Sequence, residues 1–474
     1  MDLSLLLILC VAAPVFGSFI LPLVGKASSG ARNLLALALV AVSFFSAAAL
    51  LPKAMSGSPV HFSVILPLGM TFSFYADALA VFMALVSSFI GAVIVFYSFS
   101  YISRYPNQNE YYTMVTLFMG AMMGIVFSGN LIFLYLFWEI SAICCWRLIG
   151  FFREKAYVRR ADKAFLITVG GSLLMLLGFI SIYGETGTFD LLEMSGRAIP
   201  NIAVILILCG ILSKSATLPF HTWLPDAGVA PSPVTSLLHA AVLVKIGVYV
   251  FARLFLVNFT LDAVWHQVIP IVAAVSALVT AGAALVENDM KRIIAYSTVS
   301  QIGFIFLGLS CGSMMGAAGA LLYIMMHGLA KGGLFLCAGI VEQNTHNKDI
   351  RKMGGLFSTM PLTAIAFLAC SFSIMGIPPF GGFFAKFMVI SGPVSAEQPW
   401  IALTFVVGAV LTIVYLLRLF VMIFLGEPKT APVREGSRGM VLSVLALGAL
   451  SLLGGIFVNV PVQLVDVILS SMGR

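Results

Sequence analysis

Charge is what this chain has least of: Asp, Glu, Lys and Arg make up 9% of its 474 residues, against 61% hydrophobic residues and a mean hydropathy of +1.07. So little charge cannot clothe a water-soluble surface, and a soluble globular class is excluded. Metal and nucleotide signatures are also missing, with no CxxC, no HExxH, no phosphate-binding glycine loop and no GxGxxG set between a strand and a helix. No cofactor of its own is therefore expected for this chain. The seven cysteines all fall inside apolar runs, where free cysteine behaves as a small hydrophobe. Basic residues exceed acidic ones to give a net charge of +7, yet no groove-reading motif accompanies them, so no nucleic-acid partner is expected. The opening MDLSLLLILC carries no Lys or Arg, which favours a retained first span over a cleaved signal peptide.

What fills the chain is apolar runs of about 20 residues, the length of helix that crosses a hydrocarbon core, and not the alternating segments of a membrane barrel. The fold class expected is all-α, a polytopic membrane protein of about fourteen transmembrane helices. The spans fall near residues 3–24, 33–51, 77–101, 111–128, 131–149, 164–184, 201–217, 232–256, 268–286, 293–310, 317–341, 360–392 with a break, 400–425 and 440–460. Of the 26 Lys and Arg residues, 17 lie at odd-numbered loops and only Lys53, Arg197, Arg253 and Arg474 at even-numbered ones. Basic loops stay cytoplasmic, which places both termini on the outer face of the inner (cytoplasmic) membrane. The strongest anchor is 147–163, with Arg147, Arg153, Lys155, Arg159, Arg160 and Lys163.

Ionisable residues in mid-span are the informative ones: Glu139, Lys214, His239, Lys245, His327, Lys331, Lys386 and Arg418. A charge at the centre of a membrane helix costs about 3 kcal/mol on insertion scales, so each must face protein or water. Distributed over several spans, they suggest stations of a proton path. Lys214 lies five residues before Pro219, and Lys386 follows Pro378 and Pro379 in a glycine-rich stretch, so both lysines adjoin expected helix breaks. Spans four to eight and nine to thirteen each number five, an odd count that would insert two copies in opposite orientations. The organisation expected is 1–110 with spans one to three, 111–256 and 257–425 as two inverted five-helix repeats, and 426–474 with span fourteen. Glu139 is the natural partner of Lys214. His327 and Lys331, four apart, share one helical face, whereas His239 and Lys245, six apart, do not on an ideal helix.

The words around these charges resemble a known family. They are SATLPFHTWLPDAGVAPSPVTSLLHAAVLVKIGVY from Ser215 to Tyr249, NDMKRIIAYSTVSQIGF from Asn288 to Phe304, HGLAKGGLFLCAGI from His327 to Ile340, GIPPFGGFFAKF from Gly376 to Phe387, and LFWEISAICCWRLIGF around Glu139. Dispersed over roughly residues 70–425, they resemble the antiporter-like membrane subunits shared by respiratory complex I, membrane-bound hydrogenases and multisubunit Na+/H+ antiporters. The resemblance implies a coupling acid at Glu139, its lysine at Lys214, a relay through His239, Lys245, His327 and Lys331, and a terminal station at Lys386. It implies a non-catalytic pump subunit, moving H+ and possibly Na+, among other antiporter-like and small helical subunits in the lipid bilayer. A peripheral redox module with iron–sulfur clusters or a metal centre would then drive it. A secondary Na+/H+ antiporter without a redox partner is the alternative, and the residues do not separate the two.

Simpler roles suit other residues. Asp77 reads equally as an interfacial helix cap, Asp289 as a cap orienting its helix, Arg418 as a side chain reaching for the membrane surface, and the Gly120/Gly124 pair as a helix-packing motif.

Overall fold

The computed structural model describes residues 2–67, 70–429 and 432–472, so Arg474 lies outside the described residues. Eleven described helices are long and apolar enough to cross a membrane: α3 (Ser29–Met55), α4 (Ala78–Tyr101), α5 (Gln108–Phe127), α6 (Leu131–Ile149), α7 (Lys155–Thr186), α12 (Trp265–Val286), α13 (Met290–Ser310), α14 (Met314–Thr345), α17 (Pro399–Phe424), α18 (Arg438–Ile456) and the composite Ser232–Asn258. The pair α1 (Leu3–Ser18) and α2 (Leu21–Ala27), bent by 52°, makes one more. Two interrupted spans bring the number to the expected fourteen. The chain is a multi-span helical membrane protein.

Interruption occurs at the anticipated prolines. Span seven is α8 (Asn201–Lys214) and an irregular 215–222 stretch through Pro219, after which the short α9 (Trp223–Asp226) follows. Span twelve is α15 (Pro361–Met375), a break from Gly376 through Pro378 and Pro379, and α16 (Gly381–Ser395). Proline removes a backbone donor and crowds the preceding turn, so both breaks have a local cause. Gly376 ends α15 at φ +81°, a left-handed conformation that favours glycine.

Span eight is also irregular. It runs as α10 (Ser232–Ser236), a wide π turn over Leu237–Ala241, α11 (Leu243–Phe251) and a second π turn over Ala252–Asn258. Burial shows which helices are central: span eight, α13 and α14 are almost wholly buried, whereas α3, α7 and α17 leave most of their apolar length at least partly exposed. The peripheral helices turn apolar side chains outward, among them Phe45, Leu166 and Val410, as a lipid-solvated surface requires. The central helices approach closely through small residues. A Cβ on Gly392 of α16 would stand 2.5 Å from the Cα of Gly316 on α14.

Three details depart from the sequence reading. Between the second and third expected spans, β1 (Val60–Ile65) and β2 (Thr71–Ala76) pair as an antiparallel hairpin, from Val60–Ala76 to Ile65–Thr71. The glycines Gly120 and Gly124 do not form one seam; the first faces Val15 of α1, and the second faces Phe137 of α6. After α18 the chain makes a further helix, α19 (Asn459–Met472).

Candidate functional site

The anticipated ionisable residues gather into three groups along the interior. In the first, the Lys214 ammonium at the end of α8 donates to the Trp138 carbonyl of α6 at 3.1 Å and lies over the Trp138 ring at 5.2 Å. That carbonyl also accepts from Ser141 Oγ at 2.6 Å. No ion pair joins Lys214 to Glu139 among the described residues; Glu139 is the next residue on α6, and its Oε1 is buried without a protein partner. The expected pairing therefore takes the form of proximity through the neighbouring peptide and not of a direct contact, because successive helical side chains point about 100° apart.

The second group centres on Lys245, whose Nζ is hydrogen-bonded to His327 Nδ1 at 2.5 Å and reaches the His239 carbonyl at 3.4 Å. The π turn explains the second contact. It adds a residue to the turn at Leu237–Ala241 and loosens the backbone at Val242, so a lysine six residues on can reach back to His239. Both ring nitrogens of His239 and Nε2 of His327 are buried without a partner. The His239 ring packs on Phe335 at 4.3 Å between centroids.

The third group runs from Lys331 to Lys386. Lys331 Nζ donates to Ser297 Oγ at 2.6 Å and to the Ile294 carbonyl at 3.2 Å. Ser297 Oγ bonds the Tyr415 hydroxyl at 2.7 Å, Gln301 Nε2 donates to that hydroxyl at 3.4 Å, and the Tyr323 hydroxyl donates to Gln301 Oε1 at 2.6 Å. Lys386 Nζ sits 4.6 Å from the centre of the Phe304 ring and 5.8 Å from that of Tyr323. Ser297, Gln301, Tyr323 and Tyr415 were not anticipated. Ser297 and Gln301 stand at i and i+4 within the Asn288–Phe304 motif, a same-face spacing of polar residues that was visible in the sequence. His327 and Lys331, one turn apart on α14, place the second and third groups next to each other.

Other charges are used to hold the framework. Arg418 donates to the carbonyls of Leu285 and Glu287 and to Asn288 Oδ1, closing the end of α12. Asp289 caps α13 through the amides of Lys291 and Arg292. Asp77 caps α4 through Ala80 and also holds Arg253 in a two-pronged ion pair at 2.6 and 2.7 Å. Lys291, in the first turn of α13, is buried and bonds Glu342 Oε2 at 3.1 Å, which also accepts from Ser232 Oγ. Asp226 is shared between Lys163 of α7 and Arg292 of α13, each at 2.8 Å. Burial pushes the Asp226 carboxyl up, but the hydrogen bonds and charges of those two bases outweigh it and hold it below its ordinary range. On the same helix as Glu139, Trp146 donates to Asp162 and Arg147 pairs with Glu110.

A family model described as NADH:quinone oxidoreductase/Mrp antiporter, transmembrane, matches residues 128–412, and one for the N-terminus of complex I chain 5 matches residues 64–112. The chain belongs to this complex I and Mrp antiporter family. Among curated relatives, it is 37% identical over 439 residues to a Na(+)/H(+) antiporter subunit from Alkalihalophilus pseudofirmus (strain ATCC BAA-2126 / JCM 17055 / OF4), covering 83% of this chain and 53% of that protein. It thus spans about half the length of the curated relatives it matches. Its fold is similar to a chain of the Mrp complex from Dietzia sp. DQ12-45-1b, with a TM-score of 0.91 at 24% identity over 99% of this chain and 98% of that one. It is likewise similar to a chain of the membrane-bound sulfane sulfur reductase, an archaeal respiratory membrane complex, with a TM-score of 0.89 at 23% identity over 98% and 97%.

Proposed function

We propose that this chain is an ion-translocating subunit of a multisubunit cation/proton antiporter, and that it carries the proton leg of the exchange. The observation that carries the reading is the polar line that ties Lys331 through Ser297, Tyr415, Gln301 and Tyr323 to the site of Lys386, with Lys245 bonded to His327 one turn away. Lysine and histidine hand on protons by exchanging hydrogen bonds, and as cations they repel Na+. The breaks between groups are bordered by buried polar atoms without protein partners, including Glu139 Oε1, Ser215 Oγ, Thr217 Oγ1, His239 Nδ1 and Nε2, and Lys386 Nζ. Leaving such an atom unsatisfied costs about 1–3 kcal/mol, so in the membrane these atoms hold water that completes the path.

Two drives fit the residues, a redox module or a second ion gradient. The antiporter name of the curated relative favours the gradient. In this reading Glu139 and Lys214 switch the path, residues 111–256 and 257–425 are two oppositely inserted five-span units, the partners are further membrane subunits, and the basic loops and Asp226 lie on the cytoplasmic side. The test is the whole complex in sealed vesicles, with proton uptake driven by an imposed sodium gradient. Lys214→Ala and Glu139→Gln are expected to lower that uptake at least tenfold without any electron donor present. Full uptake in both variants would remove the buried line from the mechanism.

A further inference from the structure

The relay bases explain how a proton crosses the middle of the molecule, but they do not reach the face that carries the β-hairpin. On that face lies a cavity of about 300 Å³, lined by Tyr75, Asp77, Ser128, Ser195, Arg253 and Asn258 among others. Its base is the Asp77–Arg253 pair, and behind the pair the Arg253 Nε donates to the Tyr249 hydroxyl at 3.0 Å. That hydroxyl in turn donates to the carbonyl of Val126, near the end of α5, where a helix leaves its last carbonyls without intrahelical partners. Tyr249 is buried, with 1% of its surface exposed. Lys245, Tyr249 and Arg253 stand at i, i+4 and i+8 on span eight, a stripe about 12 Å long at 1.5 Å per residue. At the cavity wall, Asn258 is 5% exposed; its Nδ2 donates to the Leu191 carbonyl, while its Oδ1 is buried without a protein partner.

We propose that this cavity is the port by which protons pass between the hairpin side and Lys245, with Tyr249 as the intermediate step and the Asp77–Arg253 pair as its gate. The inference rests on the proton-leg reading above. With Arg253 displaced, the Tyr249 oxygen can take a proton from hydronium in the cavity while its own proton leaves the Val126 carbonyl for the neutral amine of Lys245 one turn away, so one proton moves and the residue is unchanged. With Arg253 drawn to Asp77, the guanidinium separates cavity from hydroxyl. Displacing it opens the way. An ion pair that merely stapled α4 to span eight would need neither the cavity on one side nor, on the other, a hydroxyl on the residue one helical turn from a relay lysine.

The test uses the whole complex in sealed vesicles. Ser195→Cys, at an exposed position of the cavity lining, is modified to completion from the hairpin side with a bulky membrane-impermeant thiol reagent; Glu397→Cys, exposed and outside the lining, serves as control. Proton flux is expected to fall at least tenfold in the first and to persist in the second. Asp77→Asn is expected to raise the rate at which the same reagent reaches a Tyr249→Cys thiol by at least tenfold. Should Asp77→Asn fail to fold, the Ser195→Cys adduct decides alone. Full flux through completely modified Ser195→Cys protein overturns the port. If Lys214→Ala still abolishes flux in that case, the port alone fails; if Lys214→Ala is silent too, the proton-leg reading fails with it.

Discussion

Lys245 Nζ is hydrogen-bonded to His327 Nδ1, and Lys331 is held by a hydroxyl and a carbonyl instead of by an acid. The hydroxyls and amide that connect Lys331 to Lys386 should therefore matter almost as much as the bases. Ser297→Ala and Tyr323→Phe each delete one link without adding bulk, and each is expected to lower proton flux about tenfold, near 1.4 kcal/mol, with unchanged amounts of assembled complex. Flux in reconstituted vesicles checks this. Arg418→Gln should do the reverse. It loses donors to the end of α12, lowering thermal stability by about 1 kcal/mol while flux per folded molecule holds. The bases were legible in the sequence because a charge within an apolar run of twenty residues needs a reason. Of the linking residues only the i, i+4 spacing of Ser297 and Gln301 was visible, and it did not single them out, since serine, threonine and tyrosine are ordinary in membrane helices and often bond only their own backbone, as Thr298 does to Ile294. Nor could spacing show that Lys214 would choose the Trp138 carbonyl over the Glu139 carboxylate.

The elements themselves follow from the same apolar runs, and their breaks from proline and glycine. Span eight is the exception. Nothing in LLHAAVLVK announces a π turn, which is set by packing against neighbouring helices, so the contact between Lys245 and the His239 carbonyl was out of reach of periodicity. The hairpin was missed because VHFSVI and TFSFYA lie between spans so apolar that their alternation does not stand out. The break of span twelve makes a demand that can be tested. A Cβ on Gly382 would stand 1.8 Å from the Ser373 carbonyl oxygen, so Gly382→Ala must move backbone. It is expected to destabilise the complex by about 1–3 kcal/mol in a thermal melt and to lower flux with it, because α16 carries Lys386.

At the scale of the whole molecule, Asp226 ties α7 to α13. The clamp is partly solvated, and a contribution of about 1 kcal/mol suits such a pair. Its pH dependence has a definite sign. A carboxyl held below its ordinary value in the folded state contributes fully above the unfolded pKa of about 3.9, and loses that contribution as pH falls through the lower folded value. Melting of the wild-type complex should drop below about pH 4 by more than that of Asp226→Asn, which has no such carboxyl to protonate. Equal slopes would discount the clamp.

Among the described residues no ion pair reaches Lys245, His327, Lys331 or Lys386. Positive charge that travels along these four is uncompensated by anything travelling with it, so its displacement across the bilayer is felt by the transmembrane voltage at about 2.3 kcal/mol per charge per 100 mV. On the proton-leg reading, these side chains would thus act as a voltmeter, slowing or hastening each hop according to the polarity of the membrane in which they lie.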